Sequence, residues 1–390
     1  MTGGGPTSVR VALADGGYEA HVGRGLLGQL GTLCGRAGIE TSRVHVFEDE
    51  GVPRSLRDAA VASFDRTTVT RSTFRLDEPS KSMATLERML VDLAEAGLER
   101  TDLVVALGGG ILGDVAGLAA GLHRRGVRVV QCPTTLLAMV DASVGGKTAV
   151  NLRASIGGST MLLKNGVGVF HQPSLVVADV DALASLEPRE LRCGMAECIK
   201  HAVIAGESGQ GLLSLGRLTE SMPRLLGGDT DLLVSLVEQG VGLKAGIVAG
   251  DERETATGST PGRRALNLGH TFAHAIEGCD GTRVEIDGTS QHPKHGEAVG
   301  IGLIAAARLA EVVRVGSATV REGIEAAALA AGLPTKLNGA PDGTTLIAAM
   351  RQDKKASGGG MRLVLPTNIG VVMRDDPGDE ALDPAWQWVL

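Results

Sequence analysis

The first half of the chain alternates short apolar runs with segments whose apolar residues recur every three or four positions. The short runs predict strands at residues 9–13, 44–47, 103–107 and 127–131, and the helical spacing predicts helices at 83–96 and 113–121. This alternation is typical of βαβ units built around a mostly parallel sheet. We therefore predict an α/β domain over residues 1–184.

The apolar pattern changes near residue 187. From there on, a period of about 3.6 residues predicts helices at 190–203, 230–249, 269–277, 297–313 and 320–331. Helices that follow one another without strands predict a mainly α-helical second domain over residues 185–390. Three polar stretches rich in Gly, Ser and Thr, at 153–160, 255–262 and 280–294, are predicted to be loops.

The composition refines this picture. The 390 residues include 56 Gly but only five Phe, two Trp and one Tyr, and 43% of the residues are hydrophobic. The core of each domain must therefore be aliphatic. Because glycine permits tight turns and a close approach of the backbone to a ligand, its excess points to such turns.

Charge and cysteine content exclude several classes of protein. The chain carries 38 Lys and Arg against 45 Asp and Glu, and no stretch concentrates basic residues, which argues against nucleic acid or an anionic membrane as a partner. Five scattered Cys without a C-x-x-C argue against a disulfide framework. The start does not resemble a secretory signal, and the weakly polar block at 301–313 is shorter than the roughly 20 residues of a membrane span. We expect a cytoplasmic protein.

A glycine-rich turn follows the strand predicted at 103–107. Gly108, Gly110 and Gly113 satisfy G-x-G-x-x-G between a strand and a helix, the context in which backbone N–H groups bind a dinucleotide pyrophosphate in Rossmann-like domains. The alternative is an ordinary tight turn. No acid occurs between residues 115 and 140, where a ribose-binding carboxylate is usual, so Asp49 is the candidate unless it is a solvated loop acid.

A second glycine turn, Gly145-Gly146-Lys147-Thr148, follows the strand predicted at 127–131. It lacks the first glycine of the P-loop motif, which argues against a nucleotide triphosphatase. The turn still offers amide donors and a cation to a phosphate or a carboxylate. The alternative is that Lys147 is an ordinary exposed lysine after a turn.

Possible metal ligands fall in the helical half. Glu197, Lys200 and His201 lie on one helix face, and His270 and His274 are one turn apart, with His295 following a polar loop. Zinc in catalytic sites takes three His or carboxylate ligands and keeps one position open. H-E-x-x-H is absent, which does not support a zinc protease. Each His taken alone is more often a hydrogen-bonded polar residue than a ligand.

Basic residues in otherwise neutral surroundings suggest an anionic substrate. Lys244, Arg263 and the pair Lys354-Lys355 are candidates, although each is also compatible with a solvated surface charge. Arg263 precedes Asn267 by four residues, a spacing that could place a carboxylate-binding fork beside the metal.

Eight motifs together resemble the 3-dehydroquinate synthase family of sugar phosphate cyclases, collinearly from about residue 45 to 370. They are Gly108–Asp114, Arg125-Gly-Val, Pro133-Thr-Thr-Leu-Leu, Asp141–Lys147, Gly194–Lys200, Asn267–Glu277 with His295-Gly-Glu-Ala-Val, and Asp353-Lys-Lys. The resemblance implies an NAD-binding α/β domain, a helical metal-binding domain, catalysis in the cleft between them, and a homodimer.

Carried over position by position, the resemblance assigns roles to individual residues. It makes Glu197, His270 and His295 the ligands of Zn²⁺ or Co²⁺. It lines NAD with Asp49, Glu78, Lys81, Gly109, Gly110, Gly113, Asp114, Thr134, Thr135, Asp141 and Ser185. It gives substrate-binding roles to Arg125, Asp141, Lys164, Asn165, Lys354 and Lys355, and catalytic roles to Lys147, Lys200, Lys244, Arg263, Asn267 and His274.

The implied reaction converts 3-deoxy-D-arabino-heptulosonate 7-phosphate into 3-dehydroquinate by transient oxidation, phosphate elimination, re-reduction and intramolecular aldol closure. The segment 152–163 is longer than in the family pattern, so Lys164 and Asn165 do not follow the preceding motif at the family's usual spacing. The exact substrate depends on these two assignments. The alternatives are an aminodehydroquinate synthase, a 2-epi-5-epi-valiolone synthase type of enzyme acting on sedoheptulose 7-phosphate, and, from another class, a metal-dependent alcohol dehydrogenase. Lys244, Arg263 and Asn267 together favour a substrate that bears a carboxylate.

Overall fold

The chain divides into two compact units. The computed structural model describes residues 7–65, 67–156, 159–256, 261–356 and 361–390. The first unit is Met1–Glu187 together with Leu233–Ala249, and the second is Pro188–Leu232 together with Gly250–Leu390. The sequence pattern predicts the boundary after residue 184 and places everything beyond it in the second domain. The segment Leu233–Ala249 instead groups with the first unit.

The first unit alternates strands and helices as the pattern predicts. Its strands are β1 (Thr7–Val11), β2 (Tyr18–Gly23), β3 (Arg43–Asp49), β4 (Thr68–Phe74), β5 (Leu103–Gly108), β6 (Arg128–Pro133), β7 (Lys147–Ile156), β8 (Ser159–Phe170) and β9 (Leu175–Asp179). Its helices are α1 (Leu30–Arg36), α2 (Arg54–Ala62), α3 (Met83–Glu95) and α4 (Gly110–Leu122).

The second unit is mainly helical. Its helices are α5 (Pro188–Ala205), α6 (Leu215–Leu226), the start of α7 (Thr230–Gly250), α8 (His270–Gly278), α9 (His295–Val312), α10 (Ala318–Ala330), α11 (Gly343–Ala356) and α12 (Asp379–Val389). Two small hairpins accompany them, β10 (Val284–Ile286) with β11 (Thr289–Gln291), and β12 (Arg362–Thr367) with β13 (Gly370–Asp375).

The main sheet of the first unit has the order β1-β2-β9-β6-β5-β3-β4, and only the β1–β2 pair is antiparallel. The interior strand β5 is apolar throughout because helices cover both of its faces. Leu103, Val105 and Leu107 pack with residues of α1, and Val104 and Ala106 pack with residues of α3 and α4. This doubly wound arrangement confirms the predicted α/β fold.

Two of the stretches predicted to be loops contain strands. Residues 153–156 end β7 and residues 159 and 160 begin β8, and the register of this hairpin runs from Lys147 opposite Phe170 to Ile156 opposite Ser159. Residues 280–294 contain the β10–β11 hairpin. Both predictions were wrong because the polar composition reports exposure, whereas hairpin pairing depends on a partner strand. In the third stretch, residues 257–260 lie outside the described part of the chain.

Helix α9 forms the centre of the second unit, where it packs against α5, α8, α10, α12 and β12. Nearly all of its residues are buried, so it is apolar around most of its circumference. Close to it, the rings of Phe272 and Trp386 pack edge to face with centroids 5.1 Å apart. The predicted helical second domain is confirmed.

Helix α7, with 21 residues, is the longest helix in the described part of the chain, and by length and composition it could cross a membrane. The apolar pattern predicts this helix at 230–249, but the expectation that 301–313 is the longest weakly polar block is wrong, because α7 is longer. Core helices of soluble proteins meet the same criterion. Lys244 of α7 is 5% exposed and forms an ion pair with Asp141, an arrangement suited to packing against protein.

His45 of β3 provides a prediction about stability. Its side chain is 2% exposed, its Nδ1 lies 2.8 Å from Thr70 Oγ1, and burial lowers its pKa from 6.5 to about 4 despite the carboxylate of Asp92. The unfolded chain takes up this proton near pH 6.5 and the folded chain only near pH 4. Stability should therefore fall across this window by on the order of 3 kcal/mol as the pH drops.

Urea unfolding between pH 4 and 7.5 measures this effect by comparing the wild type with His45→Gln. The variant should lose less stability on acidification, because glutamine cannot be protonated in the unfolded chain. The matched control is His292→Gln, since His292 is exposed, and it should follow the wild type. Parallel pH curves for the wild type and His45→Gln would contradict the prediction.

Candidate metal and cofactor sites

Three predicted cofactor residues meet at the carboxyl edge of the sheet. Strand β3 ends at Asp49, β5 ends at Gly108, and β6 ends at Pro133, which is paired with Gly108. The amide of Thr134 donates to the Gly108 carbonyl at 3.0 Å, and a Cβ at Gly108 would lie 2.9 Å from the Cβ of Asp49. Burial raises the pKa of Asp49. In doubly wound sheets, ligands bind at this edge.

Glycine is needed in this turn because a side chain would have too little room, and not because the backbone angles are unusual. Gly109 caps α4 with φ −74°, within the range of any residue. A Cβ at Gly109 would lie 3.3 Å from Thr135 Cγ2, and a Cβ at Gly113 would lie 2.7 Å from Gln131 Oε1. The first turn of α4 thus packs tightly onto β6 and the residues after it. Its backbone N–H groups are suited to binding an anion.

A hydrogen-bonded chain of polar side chains lies beside this turn. Lys81 Nζ donates to Asp114 Oδ2 and to Asn165 Oδ1, both at 2.6 Å. The amide of Asn165 donates to Asn151 Oδ1 at 2.8 Å, and Asn151 Nδ2 donates to Glu78 Oε1 at 2.9 Å. Burial raises the pKa of Asp114, and Lys81 opposes that rise. The structure therefore brings Glu78, Lys81, Asp114 and Asn165 together.

A second buried ion pair joins α7 to the π-helical turn Ala138–Ala142. Lys244 Nζ contacts both the carboxylate and the carbonyl oxygen of Asp141. The following Gly145 and Gly146 have φ of 95° and 66°, which side chains rarely adopt. The turn that precedes Lys147 therefore depends on glycine, as the sequence suggested.

The other predicted positions of the first unit lie at its surface or partly buried. Lys147 is exposed at the start of β7, and Lys164 of β8 is half-buried. Arg125 is exposed and has φ 65°. Ser185 is exposed, and its hydroxyl donates to the Ala182 carbonyl at 2.9 Å.

The predicted metal ligands come from three helices of the second unit. Glu197 lies in the middle of α5, His270 is the first residue of α8, and His295 is the first residue of α9. One ligand atom from each residue lies within 4.8 Å of the other two. Glu197 Oε1 is 3.6 Å from His270 Nε2 and 3.7 Å from His295 Nε2. The donor set of one carboxylate and two imidazoles suits zinc or a similar divalent metal.

The other ring nitrogen of each histidine is already engaged. His270 Nδ1–H donates to the Leu268 carbonyl at 3.1 Å, and His295 Nδ1–H donates to Glu277 Oε1 at 3.3 Å. Such bonds fix the tautomer and turn Nε2 toward a metal. The arrangement therefore fits a metal site in its supporting groups as well as in its ligands.

Charge inside the cluster is balanced by Lys200, one turn along α5. Lys200 is 1% exposed, and its Nζ forms an ion pair with Glu197 Oε2. Burial, followed by the charge of Lys200, lowers the pKa of His270 to about 3. Burial acts in the same direction on His295, but hydrogen bonds to Glu197 and Glu277 outweigh it and raise the pKa of His295 to about 10.

The remaining predicted residues of the second unit lie on α8, on the short turn Gly262–Asn267, on α5 and on α11. The ring of His274 is 6.0 Å from that of His270 and nearly perpendicular to it. Arg263 is 1% exposed, and its guanidinium donates to the Glu252 carbonyl at 2.5 Å. Lys354 and Lys355 lie in α11, with side chains outside the described part of the chain.

Three supporting residues received no role from the sequence. The contact of Glu277 with His295 is visible only in the structure. The position of Glu277 three residues after His274 on the same helix is a signal that the sequence offers. Asn151 links Glu78 to Asn165 across β7 and β8, which the local pattern cannot show. Glu254 Oε1 accepts from Asn267 Nδ2 at 3.4 Å, and the long stretch between them hides that relation.

Comparison with known families gives a consistent match over most of the chain. The family model for the N-terminal part of 3-dehydroquinate synthase matches residues 72–193, and the model for its C-terminal part matches residues 194–356. The chain is 42% identical over 372 residues to the 3-dehydroquinate synthase of Caulobacter vibrioides (strain NA1000 / CB15N), with 93% of each chain covered.

Two solved structures share the fold. One is 2-deoxy-scyllo-inosose synthase complexed with carbaglucose-6-phosphate, NAD⁺ and Co²⁺, with a TM-score of 0.80, 23% identity, and 97% of this chain and 99% of that chain covered. The other is the 2-epi-5-epi-valiolone synthase from Streptomyces hygroscopicus subsp. jinggangensis 5008 with NAD⁺ and Zn²⁺, with a TM-score of 0.79, 24% identity, and 96% and 97% covered. At these identities the likeness confirms the fold.

Proposed function

Because this chain belongs to the 3-dehydroquinate synthase family, we propose that it converts 3-deoxy-D-arabino-heptulosonate 7-phosphate into 3-dehydroquinate and phosphate. The observation that carries the proposal is the cluster of Glu197, His270 and His295, whose ligand atoms lie within 4.8 Å of one another beside the buried cation of Lys200. A metal ligand set next to a buried cation suits a substrate that is both an alcohol and an anion.

In this proposal, Glu197, His270 and His295 hold Zn²⁺ or Co²⁺, which when bound supplies a Lewis acid for the alcohol to be oxidised. Leu268 and Glu277 hold the two imidazoles with Nε2 directed at the metal position. The metals named in the two structural relatives are consistent with this donor set.

NAD is the proposed hydride acceptor, and the first unit provides the groups for it. The N-terminus of α4 would bind the pyrophosphate, and Asp49 at the end of β3 would accept the ribose hydroxyls. Asp114, held by Lys81, lies one turn into the same helix. We assign the rest of the cofactor contacts to Glu78, Gly109, Gly110, Gly113, Thr134, Thr135, Asp141 and Ser185.

The remaining residues bind the substrate and stabilise the charges that develop on it. Arg125, Lys147, Lys164 and Asn165 are assigned to the phosphate, with one of Lys354 and Lys355, because several cations offset a dianion. Lys244, Arg263 and Asn267 are assigned to the carboxylate. His274 is suited to stabilising the oxyanion formed on ring opening. Since the phosphate itself can accept the proton released on elimination, no strong protein base is required.

Phosphate release tests the reaction. Purified protein supplied with Zn²⁺ or Co²⁺ and NAD should release phosphate from 3-deoxy-D-arabino-heptulosonate 7-phosphate with no net accumulation of NADH. The aminated analogue of this substrate and sedoheptulose 7-phosphate are run beside it to identify an aminodehydroquinate synthase or a valiolone-type cyclase. Net NADH formed from simple alcohols would instead identify an alcohol dehydrogenase and overturn the proposal.

The cytoplasmic location predicted from the sequence and the homodimer implied by the family resemblance both stay predictions. Light scattering coupled to gel filtration measures the oligomeric state directly. A small anionic sugar phosphate is the proposed substrate class, and neither nucleic acid nor a membrane is a proposed partner.

A further inference from the structure

We propose that Gly296 and Gly302 of α9 are positioning residues that set the spacing of the metal ligands. The inference rests on the proposed function, since it takes Glu197, His270 and His295 as ligands. Each glycine lets α9 touch the backbone of another ligand-bearing element at a point close to that element's ligand. The central helix of the second unit thereby fixes the positions of all three ligands relative to one another.

The first contact joins α9 to α5. Gly296 follows the ligand His295 directly, and it faces Cys193, one turn before the ligand Glu197. A Cβ at Gly296 would lie 2.5 Å from Cys193 Cα and 2.6 Å from its carbonyl carbon, and closer still to its carbonyl oxygen. These are backbone atoms that cannot rotate away. Any side chain at position 296 must therefore push α5 and α9 apart.

The second contact joins α9 to the start of α8. A Cβ at Gly302 would overlap the carbonyl oxygen of Gly269 and lie 3.1 Å from the amide nitrogen of Ala273. Gly269 precedes the ligand His270, has φ 77°, and would itself place a Cβ 2.9 Å from the amide nitrogen of Leu303. The backbones of the two elements are therefore in direct contact beside His270.

A buried ion pair also joins α5 to α9, one turn before Cys193 on α5. Glu297 is 2% exposed, and Arg189 at the start of α5 donates to its two oxygens at 2.7 and 2.8 Å. Glu297 also accepts from the amide of Lys294 at 2.8 Å, which caps α9. The glycine contact limits how closely α5 and α9 can approach, and the two-pronged ion pair resists their separation, both directly after His295 on α9.

The consequence for metal binding follows from bond lengths. Zinc takes imidazole and carboxylate ligands at about 2.0–2.2 Å, and useful sites hold these distances to about 0.2 Å. A methyl group at Gly296 requires a displacement larger than this tolerance between Glu197 and His295. Losses of supporting contacts around metal ligands typically cost about 10–100-fold in affinity.

The experiment measures metal affinity by competition with a chromophoric chelator, using Zn²⁺, together with the visible absorption spectrum of the Co²⁺ form. We expect Gly296→Ala and Gly302→Ala to bind Zn²⁺ at least tenfold more weakly than the wild type and to shift the Co²⁺ bands. The matched control is Gly300→Ala on the same helix, where a Cβ would lie 3.5 Å from Leu333 Cδ1, an ordinary contact. It should keep wild-type affinity and spectrum.

The outcomes distinguish failure of the proposed metal site from failure of the inference about Gly296 and Gly302. If the wild type binds neither metal, the proposed metal site fails, and the inference fails with it. If the wild type binds and both glycine variants match it in affinity and spectrum, the inference alone is overturned. If the glycine variants do not fold, Arg189→Lys decides, because it removes the two-pronged bond without adding bulk. Weakening of about tenfold supports the inference, and unchanged affinity and spectrum overturn it.

Discussion

Replacing His270 with alanine should abolish turnover by removing the metal. His270 supplies one of three donor atoms that lie within 4.8 Å of one another, so the variant keeps only Glu197 and His295. Two ligands do not retain a catalytic zinc in competition with water and chelators. Loss of a Lewis acid that contributes several kcal/mol should lower kcat by at least about a thousandfold. Metal content per chain after dialysis and the rate of phosphate release measure the two effects.

His274→Ala is the matched comparison, because His274 lies one turn further along α8 with its ring 6.0 Å from that of His270. This variant should retain the metal while its rate falls, since His274 is assigned to the substrate. His292→Ala removes an exposed histidine and should change neither quantity. A His270→Ala variant that keeps both its metal and its full rate would show that the ligand assignment is wrong.

The fold was predictable where short-range pattern determines it. The apolar run of β5 and the 3.6-residue spacing of α9 each depend on one element and its immediate packing, and both appear as predicted. The β7–β8 hairpin was not predictable in this way. Exposed positions of β8 include the apolar Leu162, Val169 and Phe170, so burial does not impose a regular alternation there. The pairing from Lys147 opposite Phe170 onward is a relation between two segments.

The candidate site shows the same difference between local features, which the sequence predicts, and long-range contacts, which it does not. His270 and His274 share a helix, so their spacing carried information, and the structure brings His270 together with Glu197 and His295. The contacts that support the ligands are different. The backbone approach of Gly296 to Cys193 joins residues about a hundred positions apart, and no periodicity in the sequence encodes it. Glycine patterns indicate that something lies close without indicating what.

Replacing Lys81 with methionine should destabilise the first unit and weaken its hold on NAD. The side chain of Lys81 is 8% exposed and that of Asp114 is 22% exposed, and their ion pair measures 2.6 Å. Removing one partner of a buried ion pair leaves a desolvated charge and typically costs about 3–5 kcal/mol. Without Lys81, the pKa of Asp114, already raised by burial, should rise further. Urea unfolding and the amount of NAD that copurifies with the protein measure these effects.

The double variant Lys81→Met/Asp114→Asn separates the two causes. If the cost of Lys81→Met comes from the stranded carboxylate, neutralising Asp114 should restore much of the lost stability, so the two substitutions will not be additive. NAD retention should stay low, because both cofactor contacts are gone. Arg54→Met is the control, since Arg54 pairs with Asp58 while its side chain is 85% exposed, and such pairs contribute little. Additive losses in the double variant would mean that Lys81 stabilises the fold through Asn165 and not through Asp114.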